Sequence, residues 1–249
     1  MTASEVITTL GLPPNARVDQ RVPKKLLLEN GAPTGADKKQ INDGIDELMW
    51  LAALKPGTIG VPEYRDAVRE YLEIAVLSLA LRPEANTVRL VELIHRAIPY
   101  PVLLVTQQAT VVSVSLAHKR SAQNEIGRVV LDDTVREWNL GSDASNGDWL
   151  SALSVSAQPR ASLYSIYQGW FACFEAFEAA RITGRLSLQS DIAAQEARRK
   201  ALSEHFKIQK DIATLRGQAE KEKQVNRRVE LNLAVRHLED ELKKVTEAL

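Results

Sequence analysis

A single cysteine occurs in the chain, Cys173, set among aromatic residues in "GWFACFEAF". One thiol cannot close an intramolecular disulfide, and this usage suits a reducing cytosol. Free cysteine buries more readily than most residue types, so Cys173 reads as a small core residue. An excess of one charge is also lacking, because 32 Lys and Arg balance 32 Asp and Glu. No global attraction to nucleic acid or membrane follows, although a local basic patch is compatible with the balance. No apolar run approaches the roughly 18 residues of a membrane-crossing helix. The start, "MTASEVITTLGL", has no charged leader followed by a long apolar core. The expectation is a cytoplasmic protein with no membrane span.

Several signatures are missing as well. There is no G-x-x-x-x-G-K-[ST], no G-x-G-x-x-G and no G-x-S-x-G. Nucleotide hydrolysis, dinucleotide binding and α/β-hydrolase chemistry therefore lose their usual sequence support. The four histidines, His95, His118, His205 and His237, form no pair with zinc-site spacing, and H-E-x-x-H and C-x-x-C are absent. No catalytic residue, metal or cofactor is assigned on this basis.

The 249 residues, 45% of them hydrophobic, suffice for one sizeable core with an appendage. Residues 4–10 predict a short helix, and "LPPNARVDQRVP" an extended, proline-punctuated connector. "KKLLLEN" predicts a brief helix ending at Gly31. "APTGADKKQINDGIDELMWLAALKPG" predicts one longer helix, capped by Thr34, with Ile41, Ile45, Leu48, Trp50, Leu51 and Leu54 as its stripe. Gly44 in its middle suggests that another group approaches closely there. "EYLEIAVLSLALR" changes to strand spacing, with apolar residues on both faces. "PEANTVRLVELIHRAI" predicts a helix capped by Asn86, with Val88, Val91, Leu93, Ile94 and Ile98 on its stripe. "PVLLVT", "TVVSVSLAH" and "GRVVLDDTVREWNL" predict three strands, the last running into the loop "GSDASNGD". The strand "EYLEIAVLSLALR" and the strand "PVLLVT", on either side of the helix capped by Asn86, should be parallel through a right-handed crossover, and the rest antiparallel. The fold class is thus α+β, a small mixed sheet with a β-α-β-β core and flanking helices. From about Ala161 the pattern is helical. A globular domain over 1–184 and a helical, partly coiled-coil tail over 185–249 are expected.

Two apolar seams run along that tail. The first is Ile208, Ile212, Leu215 and Ala219; the second is Leu231, Val235, Leu238, Leu242, Val245 and Leu249. They are two residues out of phase, since the first continues onto Glu222, Asn226, Val229 and Leu233. The packing face changes around "KEKQVNRR", as a bend, a hairpin or a helix meeting two partners. Narrow apolar seams need cover, so Leu231, Val235, Leu238, Leu242 and Val245 are the candidate contact to a protein partner or a second copy.

Two further chemistries compete. A magnesium-dependent nuclease places acids on neighbouring strands with a lysine that steadies the attacking water. Glu73, Lys119 and Asp132-Asp133 approach that pattern, but Ala117 stands where the acid before Lys119 belongs. Basic groups at Lys119, Arg120 and Arg128, and at Lys221, Lys223, Arg227 and Arg228, are candidate phosphate contacts. The stretch "VELIHRAIPYPVLLVT" looks at first like the mouth of an active site. Pro99 and Pro101 instead explain a helix stop and a strand start, and His95 near the helix end would suit the dipole as a cation.

"RVPKKLLLENG", "DELMWLAALKPGTIGV", "AIPYPVLLV", "SLAHKR" and "EKQVNRRVELNLAVRHLEDELKK" occur in an order that resembles a family of uncharacterised bacterial proteins with a domain of unknown function. The resemblance covers nearly the whole chain from Arg21. Members of that family tend to be encoded beside Swi2/Snf2-type helicases and DNA methyltransferases in restriction-like or anti-phage loci. What the resemblance implies is an accessory subunit of DNA-acting machinery, with a helicase or methyltransferase as partner. It supplies no functional residues.

Overall fold

The computed structural model describes residues 1–122, 129–141, 147–189 and 191–249. The chain folds as two compact units, Met1–Phe171 and Ala172–Leu249. The fold is α+β, with one six-stranded mixed sheet and a helical C-terminal region.

The N-terminal helix α1 (Ala3–Thr9) starts in a reciprocal capping box between Thr2 and Glu5. The proline-punctuated connector then holds a strand, β1 (Arg17–Arg21), that its sequence did not announce. It is an exposed edge strand, so its conformation comes from pairing rather than from an apolar pattern. Helices α2 (Lys24–Asn30) and α3 (Gly35–Gly44) follow, with Thr34 capping α3 as expected.

The predicted long helix breaks at Gly44. Residues Ile45–Leu54 are instead strand β2, paired antiparallel with β1 on one side and with β5 (Ile74–Leu81) on the other. A Cβ on Gly44 would lie 2.7 Å from Leu90 Cδ1 and 3.1 Å from Ala85 Cβ. The helix stops where another element packs onto it. Between β2 and β5 lie α4 (Pro56–Ile59) and a small ribbon of β3 (Tyr64–Arg65) and β4 (Glu70–Tyr71).

Helix α5 (Thr87–Ala97), capped by Asn86, carries β5 into β6 (Val102–Gln108), and these two strands are parallel. Val88 stands outside the buried stripe at 73% exposure, which corrects its assignment to that face. β6 turns back into β7 (Val111–Leu116), and the single strand expected after it divides. β8 (Lys119–Ser121) and β9 (Val129–Leu131) form a separate ribbon, while β10 (Arg136–Leu140) completes the sheet beside β7. The sheet order is β1-β2-β5-β6-β7-β10. Most of the loop "GSDASNGD" lies outside the described residues, before α6 (Gly147–Ser151). Ser113 and Ser115 are buried although they alternate with valines, because β7 has cover on both faces.

Helix α7 (Leu163–Thr183) ends before Gly184, whose φ of 74° is left-handed. Cys173 is buried on it. The tail is two helices, α8 (Ile192–Lys221) and α9 (Val225–Glu247). Of the alternatives open in the sequence, the structure has the hairpin.

Candidate functional site

The "IHRAIPYP" corner is where α5 hands over to β6. His95 is fully buried, and its Nε2 lies 2.9 Å from Ser115 Oγ. Burial, reinforced by the nearby Lys119 charge, pushes the imidazole down to about 3. His95 is therefore neutral, and the cation expected at this helix end comes from elsewhere. It is Lys119, 2% exposed, whose Nζ donates to the carbonyl oxygens of His95 and, at 2.7 Å, Ile98. These oxygens belong to the last turn of α5, which has no further helical donors. Burial pushes the Lys119 ammonium down to about 7. Lys119 thus holds a helix end, and its position removes it from contact with phosphates in solution.

The nuclease constellation is dispersed. Glu73, just before β5, takes a 2.9 Å ion pair from Lys55. Asp132, just after β9, accepts from Arg69 Nε at 2.9 Å and lies 3.5 Å from Arg120 Nε. Among the described residues, no group of three or more His, Cys, Asp or Glu side chains could hold a metal ion. Arg120 is half-buried and Arg128 lies outside the described residues. Near Arg69 the chain gathers aromatics that are far apart in sequence. Tyr64 and Tyr164 stack at 4.7 Å between centroids, and the Tyr71 hydroxyl meets His118 Nδ1 at 2.5 Å.

A cavity of about 350 Å³ opens on the other side of the corner. Its floor is Ala75 and Leu77 of β5, and Trp50 and Tyr100 line it from the neighbouring chain segments. Leu27 and Ile98 contribute apolar walls, and Gln20, Arg21 and Asn30 are its polar lining. The corner is the sheet's crossover and also the wall of a cavity.

In the tail, α8 and α9 close on each other. Ile208, Ile212 and Val235 are buried together, with Leu215, Leu238, Leu242 and Val245 packed against them. Arg216 and Glu239 bridge the pair at 2.5 Å. Four of the five predicted partner-contact residues thus find cover within the chain, and Leu231 is half-buried. The two-residue phase shift falls at the connector, where the chain reverses and each helix needs its own inward face. Arg227 is exposed, 3.8 Å from Glu222, and Arg228 is exposed. A second stripe points outward: Val225, Val229 and Leu233 are 61%, 51% and 58% exposed. At four-residue spacing they share a face, roughly opposite the seam of Val235 and Leu242. The only sequence sign of it was the continuation of the first seam onto Val229 and Leu233.

A family model described as a domain of unknown function, DUF4391, matches residues 10–242. The chain belongs to the DUF4391 family. The match takes in the whole sheet, the corner and its cavity, and α9 as far as Leu242, so all belong to the DUF4391 domain. No curated protein and no solved structure matches the chain. No described helix is long and apolar enough to cross a membrane.

Proposed function

We propose that this DUF4391 protein is a non-catalytic accessory subunit of a bacterial DNA-acting system of restriction-like or anti-phage type. It docks on a protein partner, a helicase or a DNA methyltransferase, through the outward face of α9. The observation that carries the reading is the exposed stripe of Val225, Val229 and Leu233 on a helix whose other apolar seam is already covered. Apolar side chains at i, i+4 and i+8 are the pattern of a helix that enters a groove. Arg228 and Arg236 stand three residues beyond Val225 and Leu233 and flank the stripe. The partner surface is accordingly an apolar groove with an acidic rim. The DNA-acting context is what the sequence resemblance implies.

Affinity purification from the native host tests this directly. The wild-type chain brings down a helicase or methyltransferase, and the Val229→Glu/Leu233→Glu double variant loses it while keeping its helical content. Retention of the complex by that variant refutes the docking face. A second reading, a nucleic-acid-binding module, draws on the stacked Tyr64 and Tyr164 beside Arg69, since aromatic platforms with cations suit single strands. It requires binding that falls steeply with salt. The nuclease alternative has less support, because Glu73, Lys119 and Asp132 each already have a structural partner.

A further inference from the structure

We propose that the corner cavity binds a neutral, planar heteroaromatic molecule of nucleobase type. Its volume of about 350 Å³ is that of a small-molecule site. The space exists because small residues line it: Ala75 of β5 forms part of the floor, and Ala97 lines the side formed by α5. On one side of Ala75 stands Trp50, whose partner on β5 is Leu77; on the other stands Tyr100, two residues before Val102, the partner of Ala75 on β6. Two aromatic side chains thus flank a flat apolar floor, an arrangement that takes a planar ring by stacking. The Trp50 Nε1–H donates to the Ala52 carbonyl at 2.9 Å, which fixes the indole and leaves it no polar demand on the ligand.

The charges argue for a neutral guest. Arg21 lies 3.8 Å from Glu47, and Lys55, which lies near Tyr100, is paired with Glu73 at 2.9 Å. Lys24, beside the lining Pro23, directs its Nζ to the carbonyl oxygens of Asn42 and Ile45, so its ammonium is committed to backbone rather than offered to an anion. The uncommitted polar groups are of another kind. Among the described residues, the Gln20 amide and the Tyr100 hydroxyl have no side-chain partner, and Asn30 commits only its Nδ2, to the Leu26 carbonyl at 3.0 Å. A primary amide presents a donor beside an acceptor, which matches the adjacent acceptor and donor on the edge of a base such as adenine.

Trp50 reports occupancy, because Trp138, Trp149 and Trp170 are each at most 4% exposed whereas Trp50 is half-buried. Adenine and adenosine are titrated into the full chain, with benzoate and cyclohexanol as controls. The expected result is saturable quenching of Trp50 and a rise in Tm with the two heteroaromatics, and neither with the controls. Gln20→Leu, on the exposed edge strand, weakens binding by about tenfold, the value of one bidentate amide contact. Ala75→Leu fills the floor and abolishes binding. Trp50→Phe removes the quenching while the ligand-dependent Tm rise persists. Absence of both responses at millimolar adenine and adenosine overturns the proposal. So does an equal response to cyclohexanol, which marks nonspecific apolar space, or unchanged affinity in Gln20→Leu. Should Ala75→Leu lose its circular dichroism, Gln20→Leu decides alone.

Discussion

The apolar cluster around β5 and the cluster between α8 and α9 are built on different scales. The first joins buried residues from α2, α3, β2, β5, α5 and β6, with Leu77, Leu90 and Leu104 at 0% exposure. The second has Ile208, Ile212 and Val235, each still 6% exposed, ringed by half-buried neighbours. A strand between two others, with helices on its face, loses nearly all its contact with water. A helix in a two-helix hairpin can cover only one stripe and keeps its other side solvated. The sheet unit therefore encloses His95 and Lys119, whereas the hairpin leaves the apolar Val225, Val229 and Leu233 exposed.

Core truncation gives the largest test of that contrast. Leu104→Ala should cost about 2–5 kcal/mol, as for a fully enclosed leucine, whereas Leu238→Ala in the hairpin should cost below about 1.5 kcal/mol because less apolar area is lost. Urea denaturation measures both, and equal losses would break the comparison. Charge insertion comes next. Leu238→Glu together with Leu242→Glu places charge in the inner seam and should melt the hairpin, read as lost helical circular dichroism. Val229→Glu with Leu233→Glu should leave stability within about 0.5 kcal/mol, as surface changes do.

A smaller effect is titration of Lys119. The unfolded chain keeps this proton up to its ordinary value of 10.5, and the folded protein releases it near 7. Between those values the unfolded state binds more protons, so stability should rise as pH increases from about 7 towards 10.5. Lys119→Met should flatten that slope in pH-dependent denaturation. Asp37 acts at the other end. Hydrogen bonds from Arg89, then Thr34, hold its carboxyl down to about 2 from 3.8. Its contribution is complete above 3.8 and is lost as pH falls through about 2, so Asp37→Asn should remove an acid-limb component of the unfolding curve.

Parts of this were legible in advance. The caps at Thr34 and Asn86, the two-faced burial of β5 and the parallel passage to β6 follow from local chemistry and period. The span after Gly44 was misread because Ile45, Leu48, Leu51 and Leu54 satisfy helical spacing, while the neighbours β1 and β5 impose a strand. The charge state of His95 was also out of reach. Its position near a helix end favours a cation, and only complete burial beside a second cation reverses that. The cavity could not be foreseen from Trp50, Ala75 and Tyr100 separately, since nothing local sets them around one space.

By itself the sequence determined the α+β class, the helix boundaries marked by caps and glycines, and the presence of two apolar seams in the tail, because each depends on residues within a few turns of one another. Tertiary structure decided which seam faces inward, which cation closes α5, and that Ala75 and Ala97 leave room beside the rings of Trp50 and Tyr100. These depend on contacts between segments tens of residues apart, where burial and pairing outweigh local preference.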